Sequence, residues 1–149
     1  MATYSEKTGN KLNDLLEKTY DAEKGFKKAA ENVTHTPLKN YFNQKAQERY
    51  DFGHELKNEI KSFGQEVDKG GSISGNLHRT WMDIKSFVSG DNEESMLEEA
   101  IRGEKASVEE YNDVLSETTL PLSTKSILVE QKNKIESGLS TIKRLEDLN

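Results

Sequence analysis

Hydrophobic residues recur every three or four positions along nearly the whole chain. That is the period of an α-helix with one face turned from water. Leu12, Leu16, Thr19, Glu23, Phe26, Ala30 and Val33 make one stripe and predict a helix from about Gly9 to Val33. Leu38, Phe42, Lys45, Arg49, Phe52, Leu56, Ile60 and Phe63 make a second, from about Pro37 to Phe63. Leu97, Ile101, Glu104, Val108, Tyr111 and Leu115 make a third, ending near Ser116. Leu128, Gln131, Ile135, Gly138, Ile142 and Leu145 make a fourth, from about Pro121 to Leu145. A shorter segment, Asn76 to Val88, carries Leu77, Trp81, Ile84 and Val88. No alternating strand pattern competes with these.

The punctuation agrees with the period. Thr36 is placed to cap the second helix with Pro37 at its first position, and Thr119 or Leu120 does the same before Pro121. Asp91 with Glu94 three residues on forms a capping box, so the third long helix starts there. "GQEVDKGGSISG" ends the second helix, and "SGDNEE" interrupts the third near Ser89–Asn92. Four helices of this length predict an all-α, up-down four-helix bundle, with residues 1–149 as a single domain.

Composition raises one doubt and closes several doors. Hydrophobic and charged residues each make up 32% of the chain, which is polar enough to suggest disorder. The regular period argues against disorder, because long amphipathic helices leave much of their circumference in water. The net charge is −6 and the longest basic cluster is Lys27–Lys28, so no basic face for nucleic acid is expected. No window approaches a membrane span, and "MATYSEKTGNK" lacks the apolar stretch of a secretory signal. With no cysteine, disulfides, thiolate metal sites and cysteine nucleophiles are excluded. These features predict a cytoplasmic protein.

Each long helix carries a polar intruder on its core stripe: Glu23, then Lys45 and Arg49, then Glu104, then Gln131. All lie near the middle of their helices, so an up-down bundle would gather them in one layer. A lone buried charge costs several kcal/mol, so such groups must meet partners. One explanation is a di-metal site holding iron or manganese, with Glu23, Glu48 and Glu104 as ligands and help from Asp51 or Glu130. That site also needs two Glu-x-x-His pairs. Glu130 is followed three residues later by Asn133, and the His54 of Asp51-x-x-His54 points away from the core face. The other explanation, which the sequence favours, is an ion-pair layer with no cofactor. Arg49 suits it, since a planar guanidinium can take a carboxylate on each side.

Other chemistry is sparse. His35 sits at a helix end beside Glu31, where a dipole contact is expected. His78 precedes Trp81 and has no acid partner or nucleophile at a recognisable spacing. "GSISG" follows no strand, and "DKGGSISG" lacks the ending of a phosphate loop. Tyr20, Tyr41, Tyr50, Tyr111 and Trp81 are expected mainly in the core. Tyr41 and Glu59 flank the second helix, where a second copy or a protein partner would pack.

The order "LNDLLEKTYDAEKGFKKAAENV", "LKNYFNQKAQERYDFGHELKNEI", "SGNLHRTWMDIK", "RGEKASVEEYNDVL" and "LVEQKNKI" resembles a group of bacterial ferritin-like four-helix-bundle proteins built on a domain of unknown function. His78–Trp81, Arg102–Glu104 and Tyr111 are the most specific pieces. The resemblance implies a ferritin-like bundle with an interrupted third helix. Ferritin metal ligands carry over only to Glu23 and Glu104. The expected function is a non-enzymatic structural or interaction module with an ion-pair layer at its centre. A divergent iron- or manganese-binding bundle is the alternative, and a small ligand held between the helices would require a cavity near the layer.

Overall fold

Stripes that must leave water, separated by prolines and glycines, give four helices among the described residues. A computed structural model of the chain shows them and describes residues 4–62, 64, 93–116, 120–143 and 147–148, with side chains from residue 7 onward. The helices are α1, Tyr4–Glu31; α2, Thr36–Ser62; α3, Glu93–Leu115; and α4, Leu122–Thr141. No strand occurs among the described residues. The Asp91 capping box, the Asn76–Val88 segment with His78 and Trp81, and the Ser89–Asn92 interruption lie outside them.

The helix ends differ from expectation for local reasons. Gly9 does not start α1 but sits buried inside it, since one helical glycine costs only about 1 kcal/mol against alanine. Asn32 ends α1: its amide hydrogen-bonds to Ala29 O at 3.1 Å, and its side chain donates to Lys28 O at 2.7 Å. That satisfies a carbonyl the helix leaves open. His35, one residue before the expected Thr36, caps α2, because Lys39 N bonds to His35 O at 2.9 Å. Pro121 caps α4 rather than opening it, and α4 ends at Thr141, short of Leu145.

The connectivity is not up-down throughout. Asn32–His35 is a short turn, so α1 and α2 are antiparallel neighbours, and the short connection from Ser116 to Leu122 does the same for α3 and α4. The two hairpins meet with α1 beside α3 and α2 beside α4, which leaves α2 and α3 diagonal across the centre. Contacts between α2 and α3, and between their N-terminal ends, join residues separated by 55 and 58 positions. A constant separation means parallel helices. The expected up-down order is therefore corrected: α3 restarts at the end where α2 began. The expectation failed because a helical period carries no information about direction.

Packing occurs in two apolar blocks. One gathers Phe26, Ala30, Val33, Leu38, Tyr41, Phe42, Met96, Leu97 and Ala100 near the α1–α2 turn. The other gathers Leu12, Leu16, Phe52, Leu56, Ile60, Tyr111, Val114, Leu128 and Ile135 at the far end. On α3 the buried face is rotated from the expected stripe toward Ala100, Gly103 and Ser107, and Ile101, Val108 and Leu115 are only half-buried. Small residues there let α3 lie close to its neighbours. Tyr41 and Glu59, expected on the flank of α2, are buried within the chain.

Gly53 lies on α2 where α1 crosses it, yet a Cβ there would meet only Leu16 Cδ1 at 3.8 Å and Tyr20 Cε1 at 3.9 Å, ordinary contact distances. Gly53→Ala is expected to fit and to raise stability by up to about 1 kcal/mol through helix propensity. Urea unfolding of the variant checks this; a loss of stability would show that the helices are packed more tightly than these distances allow.

Candidate functional site

Between the two apolar blocks lies a polar layer. Arg49 on α2 and Glu104 on α3 are its centre, 2% and 1% exposed, and they face each other across the bundle diagonal. Arg49 Nη2 is bonded to Glu104 Oε1, and Nη1 lies 3.5 Å from Oε2, so the guanidinium meets the carboxylate with both forks. Nη2 also donates to Ser107 Oγ at 3.3 Å, and Nη1 reaches Glu48 Oε1 at 3.3 Å. Lys45 completes the set, with Nζ 3.7 Å from Glu104 Oε2 and 3.6 Å from Glu48 Oε1. Two cations and two carboxylates thus form a neutral group.

The surroundings are shaped for these charges. Guanidinium carbon Cζ of Arg49 lies 5.7 Å from the Phe26 ring centre and 5.6 Å from that of Phe52, one ring from each block. Aromatic faces attract cations, more so where water is absent. Gly138 on α4 leaves room for Lys45: a Cβ there would sit 2.5 Å from Nζ. Burial pulls the Arg49 pKa down, but Glu104, Tyr111 and Glu48 outweigh that and raise it, so the guanidinium stays charged. Burial, and then the charge of Glu104, raise the Tyr41 pKa above its ordinary 10.0. Burial likewise raises that of Tyr111, against the opposing pull of Arg49.

The residues expected at the centre divide into three groups. Lys45, Arg49 and Glu104 come together. Gln131 lies one tier away: it accepts a 2.6 Å bond from Tyr111 Oη and donates to Glu55 Oε1 at 3.1 Å and to Phe52 O at 3.4 Å. Glu23 is not in the layer. It sits at the rim of the groove between α1 and α2, beside Asn43, Gln47 and Tyr50, and pairs with Lys27 at 2.7 Å. A lysine one turn on gives it an exposed partner, so burial is unnecessary. Glu48 takes the place expected for Glu23. Its spacing from Lys45 and its adjacency to Arg49 were the signal that could have found it.

The alternative ligands Glu23, Glu48 and Glu104 therefore do not converge. Among the described residues no group of three or more histidine, aspartate or glutamate side chains is arranged to hold a metal ion. His54 is exposed and stacks edge-on against Tyr50, with ring centres 4.6 Å apart. His35 makes its contact through the backbone: its N–H donates to Glu93 Oε2 at 3.0 Å, not to Glu31. No helix among the described residues is long and apolar enough to cross a membrane.

A family model described as a domain of unknown function, DUF2383, matches residues 7–117. The chain belongs to that family. No curated protein matches it. The DUF2383 match spans α1 from Lys7 onward, α2 and α3, and so contains all four charged members of the layer. It stops before α4, which supplies Gly138 and Gln131.

Two outcomes follow from this geometry. Arg49→Met leaves Glu104 buried with only Lys45 beside it and is expected to cost about 3–5 kcal/mol. Arg49→Met together with Glu104→Leu removes both central charges and leaves Lys45 with Glu48, so it should cost less than half as much; urea unfolding compares the two. The tyrosines set the alkaline limit. Their protons are held more tightly folded than unfolded, so stability persists below pH about 10 and falls as the pH rises beyond it. Unfolding midpoints measured across that range, with phenolate absorbance, check this: Tyr41 and Tyr111 should ionise only as the protein unfolds.

Proposed function

We propose that this chain is a bacterial, cytoplasmic, ferritin-like bundle that acts as a non-enzymatic structural or interaction module, its centre filled by side-chain ion pairs where a di-metal site would lie. One observation carries the proposal. The place where two helices would offer carboxylates to a metal is filled by the guanidinium of Arg49 and the ammonium of Lys45. Both oxygens of Glu104 face these cations, which a divalent ion would have to displace against their charge. The parallel course of α2 and α3 supports the ferritin-like part, since in an up-down bundle consecutive long helices run antiparallel.

As a module, the chain would work through a surface fixed by its helices, with the layer holding them in register; register control is the best-attested use of buried polar groups. Elemental analysis of protein incubated with iron(II) or manganese(II) tests the proposal against its metal-binding alternative. Wild type and Glu104→Gln are expected to retain equal, sub-stoichiometric metal after desalting. One or two equivalents retained by wild type and lost in Glu104→Gln would overturn it.

A further inference from the structure

Large apolar side chains left in water are few in this bundle. Among the described residues they are Tyr50 on α2, and Leu122 and Val129 on α4. Leu122 and Val129, 80% and 37% exposed, lie two turns apart and so share one face of α4. Lys125, Ser126, Glu130 and Asn133 complete that face, all of them exposed. A groove of about 630 Å³ runs along it. The bundle holds α4 by its other side, where Thr124, Leu128, Gln131 and Ile135 are buried. The outer face is thus an open strip that mixes apolar and charged side chains, the composition of a contact surface rather than of a solvated one.

We propose that this face docks the same face of a second copy, with the two α4 helices antiparallel about a twofold axis at the level of Ile127 and Leu128. The charges carry the choice of partner and of register. Across a twofold axis, each contact occurs twice with the copies interchanged. Lys125 of each copy then faces Glu130 of the other, Ser126 faces Val129, and Leu122 lies against Asn133. Moving the axis to between Val129 and Glu130 sets Lys125 against Lys134, and moving it to between Gln131 and Lys132 sets Val129 against Lys134. The first register alone pairs opposite charges twice. Lys134 then falls beside Pro121 and keeps its own Glu130 at 3.7 Å, while Lys132 and Glu136 pair with each other alongside. A partner of one charge sign would meet a like charge at Lys125 or at Glu130, and an uncharged one would strip water from both without return.

The inference rests on the module reading and names the partner as the chain itself. Its test reads mass rather than metal, so the two fail separately. One helix pair with two apolar side chains from each copy makes a small interface, so the dimer is weak and loosens as salt screens its ion pairs.

Sedimentation equilibrium of the full chain at low salt, from about 10 μM to about 1 mM, reads the association. Wild type is expected to dimerise within that range. Lys125→Glu sets like charges together at both contacts of its own dimer, and Glu130→Lys does the same with the opposite sign. Each should weaken the dimer at least about ten-fold. An equimolar mixture of the two variants restores opposite charges at both contacts and should give a one-to-one dimer about as tight as wild type. Both positions are exposed, so the helices should survive either change, which circular dichroism checks. Wild type that stays monomeric throughout, variants that associate like wild type, or a mixture that associates no better than its components would each overturn the proposal.

Discussion

A guanidinium and a carboxylate that are both nearly sealed from water constrain everything around them. Neither Arg49 nor Glu104 tolerates the loss of the other, because an unpaired charge in the interior costs more than most single contacts return. Their pairing dictates that α2 and α3 face each other across the diagonal and at a definite axial level. A shift by one helical turn would move each charge by about 5.4 Å and set it against an apolar neighbour. The pair need not make the protein more stable than an apolar layer would. It makes wrong alignments costly.

The rest of the centre is arranged to make that pair tolerable. Lys45 and Glu48 bring the local charge to zero: Lys45 faces the second oxygen of Glu104, and Glu48 faces both cations. Phe26 and Phe52 present ring faces to the guanidinium, and Ser107 takes one of its N–H groups. Gly138 supplies the missing volume that the Lys45 ammonium fills. At the neighbouring tier, Tyr111 and Gln131 satisfy each other and tie α3 to α4, then to the backbone of α2. Glu93 links the turn between α1 and α2 to the start of α3, where the N-terminal ends of α2 and α3 lie together and favour a negative charge. Polar contacts thus run through the bundle between two blocks that are otherwise apolar.

The DUF2383 match covers three of the four described helices and all four charges of the layer, while α4 beyond it contributes the notch and the glutamine. That division fits a centre whose charge balance is set by α2 and α3 and whose shape is completed by α4. It also separates charge from space: exchanging Lys45 or Glu48 alters the balance, whereas filling Gly138 keeps the number of charges and displaces the Lys45 ammonium.

The helices, and the presence of charges on their inner faces, could be read from the sequence because both are local. A period of 3.6 residues identifies the buried stripe, and Lys45, Arg49 and Glu104 fall on it. Leu12, Phe26, Phe42, Phe52, Leu56 and Tyr111 are buried as that period requires. What the local pattern lacks is direction, rotation and partner choice. The parallel course of α2 and α3 depends on which ends of the two hairpins pack together, as His35 and Glu93 do. The rotation of α3 toward Ala100, Gly103 and Ser107 depends on how closely its neighbours approach. Whether Glu23 or Glu48 joins Arg49 depends on competing partners, and Lys27, one turn away, holds Glu23 at the rim. Such choices balance energies between segments distant in sequence, so only the assembled bundle decides them.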